Sequence, residues 1–222
     1  NVGGGKIEDL TFNGDGTKVY AIAWDGTMNV HSLSTPYDLS NATQDADDGI
    51  NWSTTYEDET QAGGSDDAVR IHGMRFNNDG TKMFLVDVQA SGTQGVIEYN
   101  LSTPYLPGSA SFGNFFATES SEEIQDIDFD DDGTRMYVLE AKTGGTNPNR
   151  IYVYKLSTGF DTSTATFAGS MLNFFNAAGD AGGTPGGMHF SKDGMKFYQV
   201  TIFNNYANIG NKVYEYDLSC PY

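Results

Sequence analysis

Three acidic residues alternate along Asp128-Phe129-Asp130-Asp131-Asp132-Gly133, one of the few spacings in this chain that could do chemistry. Carboxylates at the first, third and fifth positions of a loop, with glycine at the turn, are how calcium loops gather hard oxygen ligands. Asp128, Asp130 and Asp132 are therefore the candidate metal ligands, and calcium the one candidate cofactor. The second half of such a loop is missing, because the closing bidentate Glu of a helix-flanked calcium loop falls on Leu139. The competing reading is hairpin chemistry, in which Asp-Gly supplies a tight turn and neighbouring polar side chains bond its backbone.

A second group is Asp9, His72, Arg75, Asp126 and His189, with Thr11 and Asp128 beside them. Carboxylates and imidazoles gathered at one mouth could bind a metal and act as acid and base. Solvated lining is the competing reading, since the residue types do not recur from place to place. Trp52, Tyr56 and Tyr206 are the candidate ligand-binding aromatics, able to stack on sugars or fill a partner's pocket. No Gly-x-Ser-x-Gly elbow, His-Glu-x-x-His pair, phosphate loop or dinucleotide fingerprint is present.

The elements that must position these residues are repeats. Asp-Gly recurs at Asp15-Gly16-Thr17, Asp79-Gly80-Thr81, Asp132-Gly133-Thr134 and Asp193-Gly194-Met195. Each is followed by a second marker: Leu33-Ser34-Thr35-Pro36-Tyr37, Leu101-Ser102-Thr103-Pro104-Tyr105, Leu156-Ser157-Thr158-Gly159-Phe160 and Leu218-Ser219-Cys220-Pro221-Tyr222. Ahead of each turn, Leu10 and Phe12, Met74 and Phe76, Ile127 and Phe129, and Met188 and Phe190 alternate with polar neighbours, the period of a half-buried strand. After it a base and an aromatic open the returning strand: Lys18 and Tyr20, Lys82 and Phe84, Arg135 and Tyr137, Lys196 and Tyr198. A third strand ends at the Leu-Ser marker. A fourth is expected around Asn51-Trp52, Asn114-Phe115-Phe116 and Asn173-Phe174-Phe175.

Four antiparallel strands per repeat, apolar on both faces, predict an all-β fold, a β-propeller whose blades bury their faces on one another. Four repeats are present, at about 6–60, 69–118, 122–178 and 184–222, within a single propeller segment. The last is incomplete, so further chain or a second copy is expected to complete its edge. The innermost strands would line a central channel, which places Asp9, His72, Arg75, Asp126 and His189 there.

These markers resemble β-propeller repeats of the YVTN and WD40-like groups found in marine microbial surface and phage proteins. Phe76 to Val86 and Val96 to Tyr105 carry the resemblance most closely, and it extends over nearly the whole chain. Departures are the long insertion in the first unit, Gly159 for Pro and Met195 for Thr. Integrin-type propeller blades resemble the Asp128 turn and imply calcium, but their loop wants an acid where Met136 stands. Six-bladed lactonases imply an alternative activity, a calcium-dependent hydrolase at the channel mouth.

Lys and Arg total 12 against 30 Asp and Glu, a net charge of −18. Such a field repels nucleic acid and anionic membrane surfaces, so neither is an expected partner. No apolar run approaches the roughly 20 residues that cross a bilayer as a helix. The single cysteine, Cys220, excludes an intrachain disulfide. The reading that follows is a non-enzymatic structural or recognition propeller of an extracellular, cell-surface or virion appendage. Its expected partners are protein subunits of the same assembly, a receptor or a glycan.

Overall fold

Each repeat forms one antiparallel sheet, in a computed structural model that describes residues 6–45, 50–52, 70–88, 94–120, 122–141, 150–172, 184–202 and 212–221. The first sheet runs β1 (Ile7–Phe12), β2 (Lys18–Ala23) and β3 (Thr27–Leu33), with β4 (Ala42–Gln44) and β5 (Ile50–Asn51) both paired to β3. The second is β6 (Arg70–Phe76), β7 (Lys82–Val88), β8 (Gly95–Leu101) and β9 (Ala110–Ala117). The third is β10 (Glu123–Phe129), β11 (Arg135–Ala141), β12 (Arg150–Leu156) and β13 (Ala165–Leu172). The fourth holds β14 (Thr184–Phe190), β15 (Lys196–Ile202) and β16 (Lys212–Asp217) among the described residues. Strands follow one another in chain order, the up-and-down meander of a propeller blade.

The fourth strands begin earlier than their aromatic residues suggest. β9 starts at Ala110 and β13 at Ala165, each directly after a single turn of 3-10 helix, Pro107–Ser109 and Thr162–Thr164. In the first sheet the fourth strand is in two short pieces, Leu33 facing Ala42 and Met28 facing Ile50. Asn173, Phe174 and Phe175 lie outside the described residues.

The two repeated markers are coupled to one another. Each hairpin glycine has positive φ, 72° at Gly16 and Gly80, 70° at Gly133 and 67° at Gly194. In the first three units the aromatic of the second marker folds back over that glycine. Its amide donates to the glycine carbonyl: Tyr37 to Gly16 at 2.8 Å, Tyr105 to Gly80 at 2.9 Å, Phe160 to Gly133 at 3.0 Å. A Cβ on Gly80 would stand 2.3 Å from the Tyr105 ring. Tyr37, Tyr105 and Phe160 themselves sit at φ of 62°, 58° and 58°, left-handed conformations that cost a side-chain-bearing residue energy. The ring contact and the hydrogen bond offset that cost.

The turn is closed by side chains as well. The Asp15, Asp79 and Asp132 carboxylates each accept the amide and hydroxyl of the following Thr, with amide distances of 3.0 Å. Two residues ahead, Asn13, Asn77, Asp130 and Ser191 accept the amide that opens the returning strand, at 2.8 to 2.9 Å. Where Met195 replaces Thr, the missing hydroxyl is supplied by Ser191, which donates to Asp193 at 2.6 Å.

The chain divides into two compact units between Phe116 and Ala117, each of two sheets. In the first unit, the face of the first sheet bearing Tyr20, Ile22, Met28 and Val30 packs on Met74, Met83, Leu85, Ile97 and Tyr99 of the second, all fully buried. Burying each such side chain stabilises by about 1.5–3 kcal/mol. In the second unit Tyr137, Leu139 and Ile151 pack in the same way on Met188, Phe190 and Phe197. The aromatic contact recurs, Tyr20 to Phe76 at 4.8 Å and Tyr137 to Phe190 at 4.5 Å between centroids. Leu10 departs from its expected half-buried setting: it is 51% exposed, whereas Met74 is fully buried. It shares a face with Ala21, its cross-strand partner, and that face points away from the second sheet.

Candidate functional site

Every first strand is bulged near its start: register shifts fall between Ile7 and Asp9, Ile71 and Met74, Ile124 and Asp126, and Pro185 and Gly187. A bulge re-aims the side chains beside it. In β1 and β10 it turns an aspartate toward the neighbouring blade. Asp9 accepts the Met74 amide at 2.9 Å, and Asp126 accepts the Met188 amide at 2.8 Å. The receiving strand carries glycine at the matching position, Gly73 or Gly187. A Cβ on Gly187 would lie 3.5 Å from Asp126 Oδ2, an ordinary contact, so the approach of the carboxylate does not by itself demand glycine there.

The other channel candidates join the same joints. Arg75 donates to Asp9 at 2.9 Å. Burial pushes the Asp9 carboxyl above its ordinary value, while Arg75 and the Met74 and Leu10 amides pull it down. At the position equivalent to Arg75 stands His189, whose Nδ1 lies 3.1 Å from Asp128 Oδ2. The same Asp128 oxygen accepts the Phe190 amide at 2.7 Å. Asp126 and Asp128 are 2% and 6% exposed, and the bonds described here turn both toward backbone amides of the adjacent blade.

The three candidate calcium ligands therefore point to different tasks. Asp128 binds the neighbouring blade, and Asp130 and Asp132 close the hairpin. Burial raises the Asp130 carboxyl, with the Arg135 amide opposing, and the Thr134 hydroxyl and amide lower that of Asp132. Among the described residues no group of three or more His, Cys, Asp and Glu side chains converges on a common point. An open cleft of about 530 Å³ lies between the two hairpin turns of the second unit, lined by Asp131, Ser191, Lys192 and Asp193.

Trp52 corrects the expectation of an exposed contact residue. It is 2% exposed and meets Tyr99 edge-on at 4.9 Å, because its amide bonds the Gly26 carbonyl at 2.9 Å and carries the ring into the core of the first unit. Tyr56 and Tyr206 lie outside the described residues. His72 is 4% exposed and packs at 5.1 Å on Trp24, a residue that no repeat pattern singles out. Two cations also lie against that indole, Arg70 at 4.8 Å and Lys6 at 5.7 Å from its centroid. Nothing in the spacing of Lys6, Trp24 and Arg70 announces this cluster; pairing of β1 with β2 and of the two blades assembles it.

Blade-type meanders, bulged first strands and sheet faces buried on a sister sheet define propeller blades. No family model matches the chain. No curated protein matches it either. Among solved structures, it is similar to the β-propeller domain of Myceliophteria thermophila Cps50 (Swd1), with a TM-score of 0.44 and 10% sequence identity. That match covers 90% of this chain and 52% of the other, so this chain spans about half the length of the structure it resembles.

Proposed function

We propose that this chain is a non-enzymatic recognition module, a set of propeller blades displayed on an extracellular, cell-surface or virion structure that binds a protein, receptor or glycan through its loops. The observation that carries this reading is the use made of Asp9, Asp126 and Asp128. The carboxylates best placed for acid, base or metal chemistry accept backbone amides across blade joints instead. A general base must be free to take a proton from substrate. The acidic, Lys-poor composition supports display outside the cell, since it favours solubility and repels nucleic acid.

A binding screen against glycans and surface proteins, run beside melting curves in calcium and in EDTA, tests the reading. Retention of at least one glycan or surface protein, with a melting temperature indifferent to both additions, is the expected result. A blank screen, or a calcium-dependent shift accompanied by lactone or ester hydrolysis, would overturn it.

A further inference from the structure

Lys6, Trp24, Arg70 and His72 form a cluster where the two blades of the first unit meet, in addition to the bonds made by Asp9. The Trp24 amide bonds the Lys6 carbonyl at 2.9 Å, which fixes the indole across from the strand start. Arg70 lies 4.8 Å and Lys6 5.7 Å from the indole centroid, and the indole is partly exposed. Among the described residues neither cation has an ion-pair partner, in a chain with 30 acidic side chains. Arg150 and Lys155 share this, whereas Lys18, Arg75, Lys82, Arg135, Lys192 and Lys196 are each paired. Lys6 acts at longer range on Glu8, lowering a carboxyl that burial raises.

A guanidinium stacked on an aromatic uses its flat face and leaves its N–H edge available for a bidentate carboxylate. The ring thus restrains Arg70, and a restrained guanidinium binds a carboxylate at lower entropic cost. Lys6 adds a second charge, and the partly exposed indole an apolar contact beside the two cations. The net charge of −18 repels densely charged polyanions, which leaves a sparsely charged ligand as the better fit.

We propose that Arg70, Lys6 and Trp24 form a binding site for a carboxylated sugar residue, of the uronic or sialic acid type, presented on an otherwise neutral glycan. This deepens the recognition reading and rests on it. The experiment is a tryptophan-fluorescence titration of the whole chain with methyl glucuronoside, with methyl glucoside as the neutral control and inorganic phosphate as the simple anion. Trp52 is buried in the core, so a ligand-linked change reports Trp24.

The expected result is a saturable change with the glucuronoside, at least tenfold weaker for the glucoside and for phosphate, and at least tenfold weaker again in Arg70→Gln and in Lys6→Gln. Circular dichroism melts confirm that both variants keep the parent fold. No change with the glucuronoside, an equal response to the glucoside or phosphate, or undiminished binding by folded Arg70→Gln would overturn the site. Retention of some other glycan or protein in the wider screen would leave the recognition reading standing when this site fails.

Discussion

Asp126 Oδ2 accepts the Met188 amide at 2.8 Å, and Asp9 makes the same bond to Met74 at 2.9 Å, one in each two-blade unit. The equivalence shows a two-blade period beneath the single-blade repeat: the blade that gives a carboxylate is followed by one with glycine at the matching position. Joints built in this way use charge where the rest of the interface uses Met, Phe and Tyr. A buried carboxylate tolerates that setting only while amides, or a cation such as Arg75, satisfy it.

Gly80→Ala tests the coupling between the two repeat markers. The added Cβ meets the Tyr105 ring at 2.3 Å, and φ of 72° is unfavourable for alanine. A loss of about 2 kcal/mol or more is expected from the combined strain and ring displacement. Urea unfolding showing wild-type stability would mean that the ring does not lie on the turn.

Gly159→Pro restores the repeat consensus, yet it should destabilise. A Cβ at Gly159 would lie 2.3 Å from the Asp132 carbonyl oxygen, a backbone atom that cannot swing aside. The expected cost is about 1–3 kcal/mol. A variant that melts at or above the parent temperature would contradict this local geometry.

The turn carboxylates set part of the acid limb of stability. The Thr81 hydroxyl and amide hold the Asp79 carboxyl below its ordinary value of 3.8. A carboxyl lowered in the folded state contributes stability that is full above 3.8 and is lost as pH falls through the lowered value. Asp15, Asp132 and Asp193 behave alike, whereas Asp9 and Asp130, raised by burial, oppose the trend over the same acidic range. Asp79→Asn should therefore be less stable than the parent at neutral pH, with the gap closing in strong acid. A gap that stays constant down to pH 2 would show that the hydrogen bonds do not favour the ionised form.

Sheet membership and the hairpins were legible in the sequence because turn chemistry is local. Asp15-Gly16-Thr17 and its relatives specify both the positive φ and the side-chain bonds that close the turn. The start of each returning strand at Lys18, Lys82, Arg135 and Lys196 follows from the same motif. The bulges before Asp9 and Asp126 left no such mark, since a bulge is a property of two strands in register. Without it the alternation hides the reach of these carboxylates to Met74 and Met188. Trp52 departs from its expected contact role for a related reason: residue type does not fix burial, which Tyr99 and the Gly26 carbonyl decide. The Trp24 cluster needed three segments brought together and was beyond any local pattern.

The claim that first-strand carboxylates join blades is tested most directly by urea unfolding of Asp126→Ala, with the exposed Asp131→Ala as control. Removing Asp126 leaves the Met188 amide and the Ile127 amide, which Asp126 also accepts at 2.8 Å, without that partner in a buried joint. A loss of about 1–3 kcal/mol is predicted for Asp126→Ala, against less than about 0.5 kcal/mol for the control. An Asp126→Ala protein as stable as the parent would contradict the account and return that carboxylate to the list of groups available for chemistry.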